Sequence, residues 1–190
     1  NVFYANDGFQ EPLDYERGYS LYVGIPFCPT TCLYCSFTSY PIGKWKGRTG
    51  LYLEALFKEL EYTARKMEGR PLDTVYFGGG TPSFFGDKRL RELLGAIQKQ
   101  FQLTQDAEIT LEANPDSVDV RALRRLRKAG FNRLSLGMQS ACPAELESVH
   151  RPHTVQQVDQ AVAAARKAKF KNLSLDLIYG LPGQTMDSWK

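Results

Sequence analysis

The run Leu21-Tyr22-Val23-Gly24-Ile25-Pro26-Phe27-Cys28-Pro29-Thr30-Thr31-Cys32-Leu33-Tyr34-Cys35 joins an apolar, strand-like segment directly to three closely spaced thiols. Thiolates packed this tightly attract soft or borderline metals. A structural zinc site closes around its ion with four protein ligands, whereas an iron–sulfur cube held by three cysteines keeps one iron free for another ligand. The remaining cysteine, Cys142, precedes Pro143 and reads as a small packing residue rather than a fourth ligand. The three thiols therefore read as a metal site with one position unaccounted for.

Outward from this run the chain alternates strand-like and helical segments. Strands are expected at 21–25, 73–77, 108–112, 133–138 and 173–178. Between them Leu53, Leu56, Phe57, Leu60, Ala64 and Met67 recur at helical spacing, as do Leu90, Leu93, Leu94, Ile97 and Phe101. The connection over 118–129 ends in Ala129-Gly130, a helix stop, and the next opens with Thr154 and Gln157 at capping-box spacing. Repeated strand-helix-strand units predict an α/β fold with parallel strands and right-handed crossovers, without a second domain.

Parallel strands covered on both faces usually read as continuous apolar runs. Here Ile109 and Leu111 alternate with Glu108, Thr110 and Glu112; Leu134, Leu136 and Met138 with Ser135, Gly137 and Gln139; and Leu173, Leu175 and Leu177 with Ser174 and Asp176. The apolar phase is expected to meet the helices. The polar phase then lines a wet or ligand-filled interior, as in an incompletely packed (β/α) barrel; the alternative is an exposed sheet surface.

Sites in α/β proteins gather at the carboxyl ends of strands. After the second strand stands Gly78-Gly79-Gly80-Thr81-Pro82, which is neither a Walker loop nor a dinucleotide G-x-G-x-x-G. Its glycines let the backbone approach a ligand, although a flexible turn has the same composition. Glu112, just before Asn114-Pro115, is placed to reach the barrel mouth, with a salt bridge to a helix as the competing reading.

With 43% hydrophobic and 24% charged residues, the 190-residue chain has the composition of a globular domain. It shows neither a membrane-spanning run nor a signal peptide, and a cytoplasmic, reducing location is expected, where cysteines stay free to bind metal. A net charge of +3 does not argue for nucleic acid, and Arg121, Arg124, Arg125, Arg127 and Lys128 read as one solvated helix face. His150 and His153 lack paired cysteines to complete a zinc site. Trp45 and Phe27 suit either shielding of the thiol loop or ordinary packing. Residues 1–19 read as a lead-in and 20–190 as one core domain, and the chain's ends suggest a piece of a longer protein.

The thiol spacing, the Gly-Gly-Gly-Thr-Pro loop and the β/α units together resemble the radical S-adenosylmethionine (SAM) superfamily. Within it, Tyr22–Cys28, Asn132–Ser140, Arg151-Pro152-His153 and Asp176–Gly183 resemble the oxygen-independent coproporphyrinogen III oxidase family, in particular its coproporphyrinogen dehydrogenase-like branch. The resemblance implies a partial (β/α)6 TIM-like barrel, here truncated to about five β/α units and incomplete at its carboxyl end. It implies a [4Fe-4S] cluster on Cys28, Cys32 and Cys35, whose fourth iron chelates SAM for reductive cleavage to methionine and a 5'-deoxyadenosyl radical. Gly79, Gly80 and Thr81 match positions that meet the methionine end. Tyr22, Tyr34, Glu112, Gln139, Arg151 and Asp176 match other positions that contact SAM.

The activity this implies is oxidative decarboxylation of coproporphyrinogen III to protoporphyrinogen IX in haem biosynthesis, supplied by an electron donor such as flavodoxin or ferredoxin, with no nucleic acid and no membrane insertion. Many such oxidases carry a further cysteine two positions after the third, where this chain has Phe37, and a histidine where it has Gly24. Related haem chaperones also lack that cysteine, so haem binding and transfer is the second reading. A zinc-stabilised module without redox chemistry is the third.

Overall fold

The computed structural model describes residues 18–189, so most of the lead-in expected over 1–19 lies outside the described residues. In chain order the elements are β1 (Tyr19–Ile25), β2 (Phe27–Cys28), β3 (Tyr40–Pro41), α1 (Ile42–Trp45), a 3-10 turn (Lys46–Arg48), α2 (Thr49–Lys66), β4 (Pro71–Gly79), α3 (Asp87–Gln100) and β5 (Gln102–Ala113). They continue with α4 (Val120–Ala129), β6 (Arg133–Gln139), α5 (Pro143–Ser148), α6 (Val155–Lys167), β7 (Asn172–Leu177) and α7 (Met186–Trp189). Five strands form one parallel sheet in the order β1-β4-β5-β6-β7, leaving β1 and β7 as edges. This is the expected α/β architecture, a barrel left open.

The apolar phase of the strands decides which face meets the helices. Val23, Ile25, Val75, Phe77, Ile109, Leu111, Leu134 and Leu136 pack with Leu56 and Leu60 of α2, Leu90, Leu93, Leu94 and Ile97 of α3, and Leu123 and Leu126 of α4. Full burial of each large apolar side chain contributes about 1.5–3 kcal/mol, so this layer carries the fold. The helix ends follow their sequence signals. Asp119 accepts from the backbone N–H groups of Arg121 and Ala122, Gly130 ends α4 at φ 126°, and Thr154 with Gln157 forms the full capping box of α6.

The polar phase faces the interior and is covered at its centre, although Tyr22 on β1 is 60% exposed and Asp176 on β7 is exposed. Thr110 is 1% exposed, Ser135 3% and Arg133 6%, which excludes an open sheet surface. Arg133 ties this face together, pairing with Glu108 at 3.5 Å and donating to Thr110 and Ser174. Its lower part is thus internally satisfied, while its upper part opens into a cavity.

Two features depart from the pattern. Leu173 packs on the core, but Leu175 and Leu177, expected to meet helices, are 44% and 52% exposed. They lie on the edge strand, whose outer face is less covered than that of its inner neighbours. In addition, β2 and β3 form a short parallel pair, and α5 starts at Pro143; both are too short to leave a periodic signature.

Candidate functional site at the carboxyl ends of the strands

A cavity of about 600 Å³ opens where the strands end. Cys28, Cys32 and Cys35 line it, together with Tyr22, Tyr34, Gly79, Gly80, Thr81, Glu112, Gln139, Arg151 and Asp176. The three cysteines and the nine residues matched to SAM contacts therefore meet in one place, although they derive from all five strands of the sheet and the loops beyond them.

The thiol loop is fixed by its neighbours. Cys28 ends β2 beside the glycine loop, its sulfur 3.6 Å from the Thr81 hydroxyl, and Gly80 and Thr81 donate to the carbonyls of Ile25 and Phe27. Gly79 has φ +116°, a conformation that favours glycine. Burial pushes the Cys28 thiol up, opposed by the Thr81 hydrogen bond, so loading a metal there releases a tightly held proton. Cys32 and Cys35 are partly exposed and all three thiols are free. Among the described residues no three His, Cys, Asp or Glu side chains converge on a single ion; the thiols line the cavity instead.

Glu112 bridges two strands. One carboxylate oxygen accepts from the Tyr76 hydroxyl at 2.7 Å and the other from the Gly79 N–H at 3.2 Å. Burial raises its pKa, and Asp176 adds to that, against the two hydrogen bonds. Tyr76 stacks on Tyr22 with ring centroids 5.9 Å apart. Asp176 accepts from Ser135, and its pKa is also raised by burial. Two carboxylates thus stand in a partly desolvated cavity, suited to an ammonium or to ribose hydroxyls.

Arg151 reaches the same space from the loop after α5. It donates to Asn114 Oδ1 at 2.9 Å and to the Gly137 carbonyl at 2.8 Å, and its Nη1 lies 3.6 Å from the Cys32 sulfur. No carboxylate forms an ion pair with it among the described residues, and its buried Nε has no hydrogen-bond partner. Gln139 sits at φ 68° where the β6–β7 register shifts, accepting from the Tyr34 hydroxyl at 2.7 Å. A non-glycine residue in that region marks a locally constrained site.

Some residues take other roles. Phe27 is core, stacked on Phe85, and Trp45 packs on Tyr40. His153 is buried with Nε2 3.0 Å from the Met138 carbonyl, and His150 is exposed. Tyr76 and Asn114 also line the site without belonging to a motif, and Ser135 is in the polar phase expected there. The place of Tyr76 follows from the pattern of β4, where Thr74 and Tyr76 alternate with buried Val75 and Phe77.

An open parallel β/α barrel with a tri-thiol loop and a glycine loop at the carboxyl ends of its strands defines a cluster-bearing, cofactor-binding class. The chain belongs to the Radical SAM superfamily, whose family model matches residues 22–190. It is 41% identical over 170 residues to the haem chaperone HemW of Mycobacterium tuberculosis, covering 89% of this chain and 44% of that protein. It is 38% identical over 173 residues to the oxygen-independent coproporphyrinogen III oxidase of Pseudomonas aeruginosa, covering 90% and 37%. The solved coproporphyrinogen III oxidase HemN of Escherichia coli superposes with a TM-score of 0.83 at 35% identity, over 90% of this chain and 39% of that one. The chain thus spans less than half the length of these relatives.

The cofactors of this superfamily are a [4Fe-4S] cluster and SAM, and the site suits both. Three free thiols share one cavity, Gly80 leaves no room for a side chain beside Cys28, and an unpartnered guanidinium nitrogen and two carboxylates stand ready for a zwitterion. Among the described residues no helix is long and apolar enough to cross a membrane.

Proposed function

We propose that the chain is the cofactor-binding core of a radical SAM protein that handles a tetrapyrrole, and that haem binding and transfer is its activity. The carrying observation is Phe37. It stands 71% exposed on the cavity wall, at the position where the resemblance places a further cysteine in many oxidases of the family. The identity to HemW of M. tuberculosis, 41% against 38% for the P. aeruginosa oxidase, points the same way. This reverses the order in which the motifs alone ranked the two activities.

In this reading Cys28, Cys32 and Cys35 hold the cluster. Gly79, Gly80 and Thr81 receive the methionine end of SAM, Arg151 faces its carboxylate, and Glu112 or Asp176 pairs with its ammonium or ribose. Tyr34 lies against the adenine, with Tyr22 and Gln139 completing the wall. When bound, these groups supply one-electron chemistry able to reach an unactivated C–H bond. A second reading, decarboxylation of coproporphyrinogen III to protoporphyrinogen IX, is favoured by the superposition on HemN of E. coli.

Full-length protein, reconstituted anaerobically with iron and sulfide, separates them. Stoichiometric haem binding, without vinyl product from coproporphyrinogen, SAM and a reductant, is the expected result. Vinyl product accompanied by deoxyadenosine establishes the oxidase instead. Stoichiometric zinc without broad visible absorption sinks both.

A further inference from the structure

We propose that the segment Lys44–Arg48 beside the thiol loop is the docking surface for an acidic electron-transfer protein. The proposal rests on the cluster assignment above, since it concerns how an electron reaches that cluster.

The charge distribution carries it. Between Glu16 and Glu54 the chain contains no Asp or Glu, yet Lys44, Lys46 and Arg48 fall within five residues of one another. All three are exposed, and none forms an ion pair with another described residue. By contrast, the larger basic group on α4 is partly neutralised, Arg125 holding Asp87 with two hydrogen bonds. The overall charge of +3 hides this local imbalance. A concentrated, unpaired patch of one sign steers an oppositely charged partner.

Its location gives the patch a purpose. Cys28 pairs with Pro41 in the β2–β3 ladder, and the Tyr40 N–H donates to the Pro26 carbonyl at 2.7 Å. Lys44 follows Pro41 by three residues, so its backbone lies within about 15 Å of that of Cys28. Arg48 covers Trp45 at 5.3 Å, and Trp45 packs on Tyr40 at 5.0 Å, which fixes the segment against the ladder. Leu33 and Phe37 of the thiol loop are 66% and 71% exposed. The β2–β3 ladder ties this loop to the cationic segment. Cys32 and Cys35 are only partly buried. The step is a transfer of one electron: the donor protein is oxidised by one electron and the cluster reduced by one, with no bond formed.

The test uses full-length, cluster-loaded protein and follows the loss of visible absorption on anaerobic mixing with reduced flavodoxin at low ionic strength. Reversing Lys44, Lys46 and Arg48 to Glu is expected to slow this reduction about tenfold or more and to flatten its salt dependence. Reduction by dithionite and iron content stay unchanged. The control reverses Arg121, Arg124 and Lys128 on α4, giving the same net charge on another face, and is expected to leave most of the rate intact. Equal slowing by both variants, or by neither, overturns the proposal. If reversal lowers the iron content, the neutral Lys44→Gln, Lys46→Gln, Arg48→Gln variant makes the same comparison with a smaller expected effect. Failure of dithionite to reduce the unmodified protein overturns the cluster reading, and the docking proposal with it.

Discussion

A β-carbon added to Gly80 would stand 2.8 Å from the sulfur of Cys28 and 2.7 Å from the Phe27 carbonyl oxygen. The obstruction is largely backbone and cannot be relieved by a rotamer change. Gly80→Ala should therefore displace the Cys28 thiol, cost about 1–3 kcal/mol of stability and lower the iron and sulfide bound per chain. Metal analysis after reconstitution, beside a denaturant curve, measures both. Full iron content in this variant would show that the loop relaxes more freely than the contacts indicate.

Removing the Tyr76 hydroxyl leaves Glu112 with one of its two hydrogen bonds. A bond to a charged group is worth about 1.5–3 kcal/mol, so Tyr76→Phe is expected to weaken SAM binding roughly tenfold. Calorimetric titration of SAM into cluster-loaded protein reads this directly. Iron content should not change, because Tyr76 makes no hydrogen bond to the thiol loop among the described residues.

Burial raises the pKa of Glu112 in the folded chain, which fixes the direction of a pH effect. Below the ordinary glutamate value of about 4.3 both folded and unfolded forms are protonated, and the raised pKa favours the fold fully. As pH climbs through the folded value this contribution is lost. Glu112→Gln removes the titration, so the melting temperature of the variant minus that of the natural protein should increase from pH 4 to pH 7. A flat difference would mean that Glu112 is not desolvated.

Core and edge should respond differently to the same truncation. Leu94 is fully buried between α3 and the sheet, and Leu94→Ala is expected to cost about 2–5 kcal/mol. Leu175 is 44% exposed, and Leu175→Ala should fall within about 0.5 kcal/mol of neutral. Urea titrations of the two variants provide the comparison. A large loss at Leu175 would indicate that something covers the outer face of β7 in the full-length protein.

The strands and the long helices were legible because their residues obey a period: two across β5 and β6, near 3.6 along α2 and α3. The thiol and glycine loops were legible from residue type alone. What escaped was pairing over distance. Arg151 could have sought a carboxylate, but its guanidinium is held by Asn114, 37 positions away, and by a backbone carbonyl. That arrangement depends on how the loops after β5 and α5 meet, and no local pattern encodes it. Tyr76 is different; its phase within β4 follows from its alternation with buried Val75 and Phe77.

The sheet's strand order is also its order along the chain, so each long strand finds its partner already made when it arrives. Synthesis can therefore lay the domain down vectorially, one β/α unit on the last. On that schedule Cys28, Cys32 and Cys35 emerge well before Asp176, which lines the same cavity from the other edge of the sheet. The nascent chain displays its thiols well before it possesses the chamber that will shelter them.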